Sequence, residues 1–180
     1  MKAGLLQEFK PAILFLVKFI ALYLVGNIAY GLYITWFSPY PDPVTTWVTE
    51  QSSGILHLLG YNTDTSIQIG KPNILVSLRG KSIIAVFEGC NGLNVMIIFV
   101  AFLIAFGPLT KKILWFIPAG LLVVHIANLF RIIILFFIAL SYPDYLYFLH
   151  KYFFTAFLYM IVFVFWYFWV SRMQPNKKSS

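Results

Sequence analysis

Four stretches of the chain are almost free of charge, and their lengths decide the first question about it. They are Ala12–Phe37, Gly92–Phe106, Ile113–Leu140 and Tyr152–Val170. A run of about 20 apolar residues in a helix rising 1.5 Å per residue crosses roughly 30 Å of hydrocarbon. The first, third and fourth stretches meet that length, with Lys18 close enough to the start of its run to snorkel to the interface. The second is short and needs residues from about Glu88 onward to cross. Between the first two lies Ser38–Glu88, whose pattern is different. It opens on Ser38-Pro39-Tyr40-Pro41-Asp42-Pro43, which cannot continue a helix. Thr45–Leu59 fits an amphipathic helix lying on a bilayer surface. Ile74–Leu78 and Ile83–Phe87 fit two short strands around the turn Arg79-Gly80-Lys81-Ser82. The predicted fold is an all-α polytopic membrane protein of about four transmembrane helices, with a long outer segment (38–88) holding an amphipathic helix and a β-hairpin. Residues 1–170 form a single membrane-embedded domain and 171–180 a cytoplasmic tail, ending in the polar stretch Gln174–Ser180.

Composition agrees with the bilayer. Of 180 residues, 61% are hydrophobic and 11% charged, and the mean hydropathy is +0.84, too apolar for a water-soluble domain of this size. Phe, Trp and Tyr make up 19% and gather near the ends of the apolar runs, as in an aromatic belt. A net charge of +7 does not indicate nucleic acid, because the basic residues form no stripe and sit between the apolar runs. The first run is too long for a signal-peptide core and has no small-residue cleavage site after it, so it is expected to stay as an anchor. Placing both termini in the cytoplasm puts Lys2, Lys10, Lys111, Lys112, Arg172, Lys177 and Lys178 inside, and leaves Lys71, Arg79, Lys81 and Lys151 outside. The positive-inside rule favours that orientation. The expected location is the bacterial inner membrane, with segment 38–88 facing the periplasm.

Three residues stand out chemically. Cys90 is the single cysteine, so no intramolecular disulfide exists; flanked by Gly89 and Gly92 at the start of the second run, it is either packing or a working thiol. A thiol at a helix N-terminus is expected to have a lowered pKa. Arg131 lies inside the third run, where an unpaired cation costs at least a few kcal/mol; it is either functional or a clasp to Glu88 or Asp144. Asn128 precedes it by three residues, on the same helical face. His150 sits where the loop Ser141–Leu149 meets the fourth run, and His57 and His125 are the competing histidines, His125 as an interhelical hydrogen-bonder. Lys112 to Arg131 measures about 28 Å of helix, which carries the guanidinium near the outer edge. Cys90 and His150 start the second and fourth spans at the same edge. The residues that follow Arg131 in the same run are then too many, and call for a tilt, a break or a slightly buried site. Cysteine, histidine and arginine at one level suit thiol-based acyl transfer: imidazole as base and acid, guanidinium for the oxyanion.

Glu88-Gly89-Cys90-Asn91-Gly92-Leu93, then Asn128-Leu129-Phe130-Arg131-Ile132, then a histidine before the last run, resemble in order the motifs of the exosortase/archaeosortase family. The resemblance implies a polytopic cysteine transpeptidase or protease, with Cys90, Arg131 and His150 as its triad and Glu88, Asn91, Gly92 and Asn128 as supporting residues. Cys90-Asn91-Gly92 stands where many members read Cys-Ser-Gly, and many have more spans, so the chain is similar to a short-form bacterial branch. It further implies substrates that are exported proteins with a C-terminal transmembrane sorting signal, cleaved at the outer face and passed to water, an amine or a lipid. Membrane lipid is the surrounding partner; no cofactor is expected. A metal site at Cys90 and His150 is disfavoured by the neighbouring arginine and by the lack of ligand spacing. The alternative is a non-enzymatic assembly or scaffold subunit of an envelope export or polysaccharide system, with Arg131 as interhelical clasp. A transporter reading is weaker, for want of an intramembrane carboxylate or paired half-helices.

Overall fold

The computed structural model describes residues 2–107 and 110–173; the tail Gln174–Ser180 lies outside them. In chain order the elements are α1 (Lys2–Phe37), α2 (Pro43–Leu58), strands β1 (Thr63–Ile67), β2 (Asn73–Leu78) and β3 (Lys81–Phe87), a single 3₁₀ turn (Glu88–Cys90), α3 (Leu93–Phe106) and α4 (Lys111–Ser141). The chain then turns through Pro143–Tyr145 into α5 (Leu146–Phe148), widens into a π turn (Leu149–Phe153) and continues as α6 (Phe154–Phe168).

Three helical segments are long and apolar enough to cross a membrane: Gln7–Phe37, Lys111–Ser141 and Pro143–Arg172. The chain is a membrane protein on these grounds; the second of the four expected spans is not among these three. α3 has 14 residues, about 21 Å of helix, and is too short to cross by itself. It packs between α1, α4 and α6. Phe102 stacks on Trp166 with centroids 4.0 Å apart, and Phe15 of α1 meets Phe102 and Phe106 edge-on. Phe99 lies over Gly120 so closely that any β-carbon at 120 would fall 2.2 Å from its ring. α1, by contrast, leaves Leu16, Val17, Val25 and Leu32 exposed, as a lipid-facing helix must.

The segment between α1 and α3 folds into a cap. Asp42 caps α2, its side chain accepting from the amides of Val44 and Thr45, with Pro43 in the first turn. The buried face of α2 (Thr45, Val48, Thr49, Ser52, Ser53, Leu56) turns toward protein, against α4 and the sheet. The expected hairpin is present: Arg79 and Gly80 both have positive φ, 51° and 78°, the pairing a two-residue type I′ turn requires. β1 adds to the far side, giving an antiparallel sheet in the order β1-β2-β3.

The cap resolves the surplus of apolar residues after Arg131. Leu129, Ile132, Ile133 and Phe136 of α4 are buried in one cluster with Val48, Leu56, Val76, Val86 and Cys90. The last third of α4 is therefore packed largely against protein; it is the central post on which the cap is built. The second cluster, with Val95, Phe99, Leu103, Phe116, Val124, Leu158 and Val162, holds α3, α4 and α6 together further down.

Candidate functional site

The path from β3 into α3 bends sharply. Phe87 ends the strand, Glu88–Cys90 make one 3₁₀ turn, and Gly92 takes φ +83° before α3 begins at Leu93. That left-handed conformation favours glycine, and a β-carbon at 92 would also come within 3.3 Å of the Asn128 side chain. The Asn91 side chain accepts from the Leu93 amide at 3.0 Å and donates to Thr45 Oγ1 (3.2 Å) and Tyr30 Oη (3.3 Å). Tyr30 in turn donates to the Glu88 carbonyl at 2.8 Å. Asn128, fully buried, donates to the Cys90 carbonyl at 2.8 Å. The turn that carries the thiol is thus held from α1, α2 and α4 at once.

Cys90, Arg131 and His150 meet. The Cys90 Sγ lies 3.3 Å from His150 Nε2, and an Arg131 terminal nitrogen lies 3.1 Å from the same atom. Guanidinium N–H groups only donate, so Nε2 carries the lone pair and the ring is the neutral Nδ1–H tautomer. A thiol proton directed at His150 must then share that lone pair. The resting arrangement is thiol and neutral imidazole with the guanidinium beside both. Cys90 is not at the N-terminus of α3, so the expected dipole effect is replaced by another balance. Burial pushes the thiol pKa up; the Arg131 charge and a backbone hydrogen bond at Phe87 work against that, and Glu88 adds to it.

Arg131 is buried, with 6% of its surface exposed. Among the described residues neither Glu88 nor Asp144 pairs with it, and its Nε has no partner. Glu88 contributes its carbonyl to the turn, while its Oε2 is buried without a hydrogen bond. The other histidines are tied elsewhere: His57 Nε2 lies 2.6 Å from the Thr63 carbonyl, and His125 Nε2 lies 2.8 Å from Gln51 Oε1 under a stacked Trp47. His125 therefore joins α4 to α2, as expected.

Sequence reasoning missed Tyr30, Thr45 and Asp42, which anchor the Cys90 turn. Asp42 accepts from the Thr45 hydroxyl and lies 3.2 Å from Tyr33 Oη. Its signal was present, since Asp-Pro ahead of a periodic stretch marks a helix start; Tyr30 had none, being one aromatic among many. A cavity of about 410 Å³ opens onto Cys90 and His150, walled by β3, by Ile132 and Leu135 of α4, and by Pro143, Leu146 and Tyr147.

Residues 5–173 match the model of the transmembrane exosortase family, nearly the whole chain. The protein belongs to that family, a group of membrane proteins associated with sorting. No curated protein and no solved structure matches the chain.

Proposed function

We propose that the protein is a membrane-embedded cysteine transpeptidase or protease that cleaves the C-terminal sorting signal of exported proteins at the periplasmic face of the inner membrane. The observation that carries this reading is the placement of the His150 imidazole between the Cys90 thiol and the Arg131 guanidinium, at 3.3 and 3.1 Å, at the mouth of an apolar cavity. As the Cys90 sulfur attacks a peptide carbonyl carbon, its proton passes to His150 Nε2. The guanidinium leaves that lone pair for the developing oxyanion, whose charge it stabilises in a site screened from water. Collapse of the tetrahedral intermediate breaks the C–N bond, and the imidazolium returns its proton to the departing amine. The thioester on Cys90 is then resolved by water, giving cleavage, or by an acceptor amine, giving transfer.

Mass spectrometry of surface proteins tests the reading. Strains carrying Cys90→Ala are expected to accumulate proteins that retain their C-terminal tails. Normal processing by Cys90→Ala overturns it and leaves the scaffold alternative, in which Arg131 only links α4 to the helix bearing His150.

A further inference from the structure

We propose that the substrate peptide binds by adding a strand to the free edge of β3, so that main-chain hydrogen bonds lead its scissile bond to Cys90. This rests on the reading of the site as one that acts on peptides.

Three observations converge. β3 is an edge strand: the sheet order is β1-β2-β3, and among the described residues no backbone partner occupies its other side. The cavity beside it touches Ile83, Ile84, Ala85, Val86 and Phe87 in unbroken succession. Successive side chains of a strand point to opposite faces, so a cavity lying on one face would meet every second residue. One that meets all of them runs along the edge, where alternate amides and carbonyls point outward. The same cavity ends at Cys90 and His150, the residues toward which β3 runs.

The edge is also unguarded. Exposed edges are commonly blunted by charge, proline or a bulge. Here the bulge falls at Ile83, where the pairing steps from Val76 with Ile84 to Ser77 with Ser82; it and Lys81 lie in the part of β3 remote from Cys90, while Ile84–Phe87 carry no charge and no proline. The four residues Ile84–Phe87 offer about 13 Å of regular pairing edge, room for an extended peptide of similar length. Strand addition gives affinity through the backbone and leaves selectivity to side-chain pockets. The walls at Ile132, Leu135, Leu146 and Tyr147 select apolar side chains on the peptide. The inferred substrate class is an extended, uncharged, apolar segment, with the scissile bond at the end that reaches Cys90.

The test uses the purified full-length protein and a synthetic probe, acetyl-Ala-Val-Ala-Val-Ala chloromethyl ketone. The Cys90 sulfur displaces chloride from the probe, forming a C–S bond as the C–Cl bond breaks, with the thiol proton passing to His150. The probe is compared with versions N-methylated at one amide at a time, and iodoacetamide measures intrinsic thiol reactivity. The expected result is a period of two. Methylation at alternate amides slows alkylation by about three- to tenfold, the loss of one hydrogen bond, and methylation at the amides between them has little effect. A series that is flat, or that slows equally wherever the methyl is placed, overturns strand addition, as does a parent peptide no faster than iodoacetamide. These outcomes are independent of the processing assay. A flat series alongside loss of processing in Cys90→Ala removes the docking mode and leaves the transpeptidase reading. An alternating series alongside normal processing in Cys90→Ala does the reverse.

Discussion

At the scale of single residues, the site turns on one nitrogen. His150 Nε2 faces a thiol and a guanidinium together, and only one of them can give up a proton at working pH. Burial holds the Cys90 thiol above its ordinary pKa and the Arg131 charge draws it down. Alkylation by iodoacetamide follows the thiolate, so its rate is expected to climb with pH through a midpoint above the usual thiol range. Arg131→Gln removes the downward influence and moves the midpoint higher still; a midpoint that stays put or falls denies the guanidinium any hold on the thiolate. The same substitution is expected to cut substrate processing by about 10²–10³-fold, the loss typical of an oxyanion donor, with the protein still in the membrane at normal abundance. Unaltered processing would reduce Arg131 to a helix clasp. The residues of this site were legible in the sequence because each is chemically out of place: a lone thiol between glycines, a cation inside an apolar run, a histidine at a span's start. The balance that sets the thiol pKa was not. Whether Cys90 starts a helix or closes a buried turn depends on Gly92, and helix periodicity says nothing about a single residue at φ +83°.

At the scale of elements, the short turn before α3 is the part most exposed to a test. Gly92→Ala places a β-carbon in a left-handed conformation and against Asn128. The backbone strain alone is worth about 1–2 kcal/mol. Displacing Asn128 also loosens its bond to the Cys90 carbonyl. Lower stability together with altered Cys90 alkylation is therefore expected. Gly60 is the control, since it has φ +88° with open space where a β-carbon would go. Gly60→Ala is expected to lose comparable stability while Cys90 reacts as before, and equal alkylation in the two variants would show that Asn128 does not position the turn. The elements themselves were unevenly legible. The hairpin declared itself through apolar strands around Arg79-Gly80. β1, with the sequence Thr-Asp-Thr-Ser-Ile and only Thr63 buried, had no alternation to detect. α3 read as a span because its side chains are apolar all round, yet at 14 residues it is shorter than the three segments long enough to cross.

At the scale of the whole molecule, α4 does two jobs in sequence. From Lys111 to Arg131 it runs about 30 Å, the depth of the hydrocarbon, and from Ile132 to Ser141 it is the post of the cap. Phe136, fully buried among Ile133, Val86 and Leu56, belongs to the second part. Phe136→Ala is expected to cost about 3–5 kcal/mol, as large-to-small changes in packed cores do. Limited proteolysis should then open the cap before the helices beneath it, and cleavage that begins in α3 or α6 would mean that cap and bundle are one cooperative unit.

This division predicts which charges lie on which side. Ser82, exposed near the start of β3, and Lys112, at the opposite end of the spanning part of α4, are expected on opposite sides of the bilayer. On the proposed orientation, the basic excess near the termini and at Lys111 and Lys112 puts that end in the cytoplasm. In a Cys90→Ser background, a membrane-impermeant maleimide is expected to label Ser82→Cys in cells with a permeable outer envelope and an intact inner membrane. Lys112→Cys should label only after that membrane is opened. Labelling of both without lysis would place the two ends of α4 on one side and remove the span itself. Labelling of Lys112→Cys alone would invert the protein, and with it the compartment from which any substrate reaches the thiol.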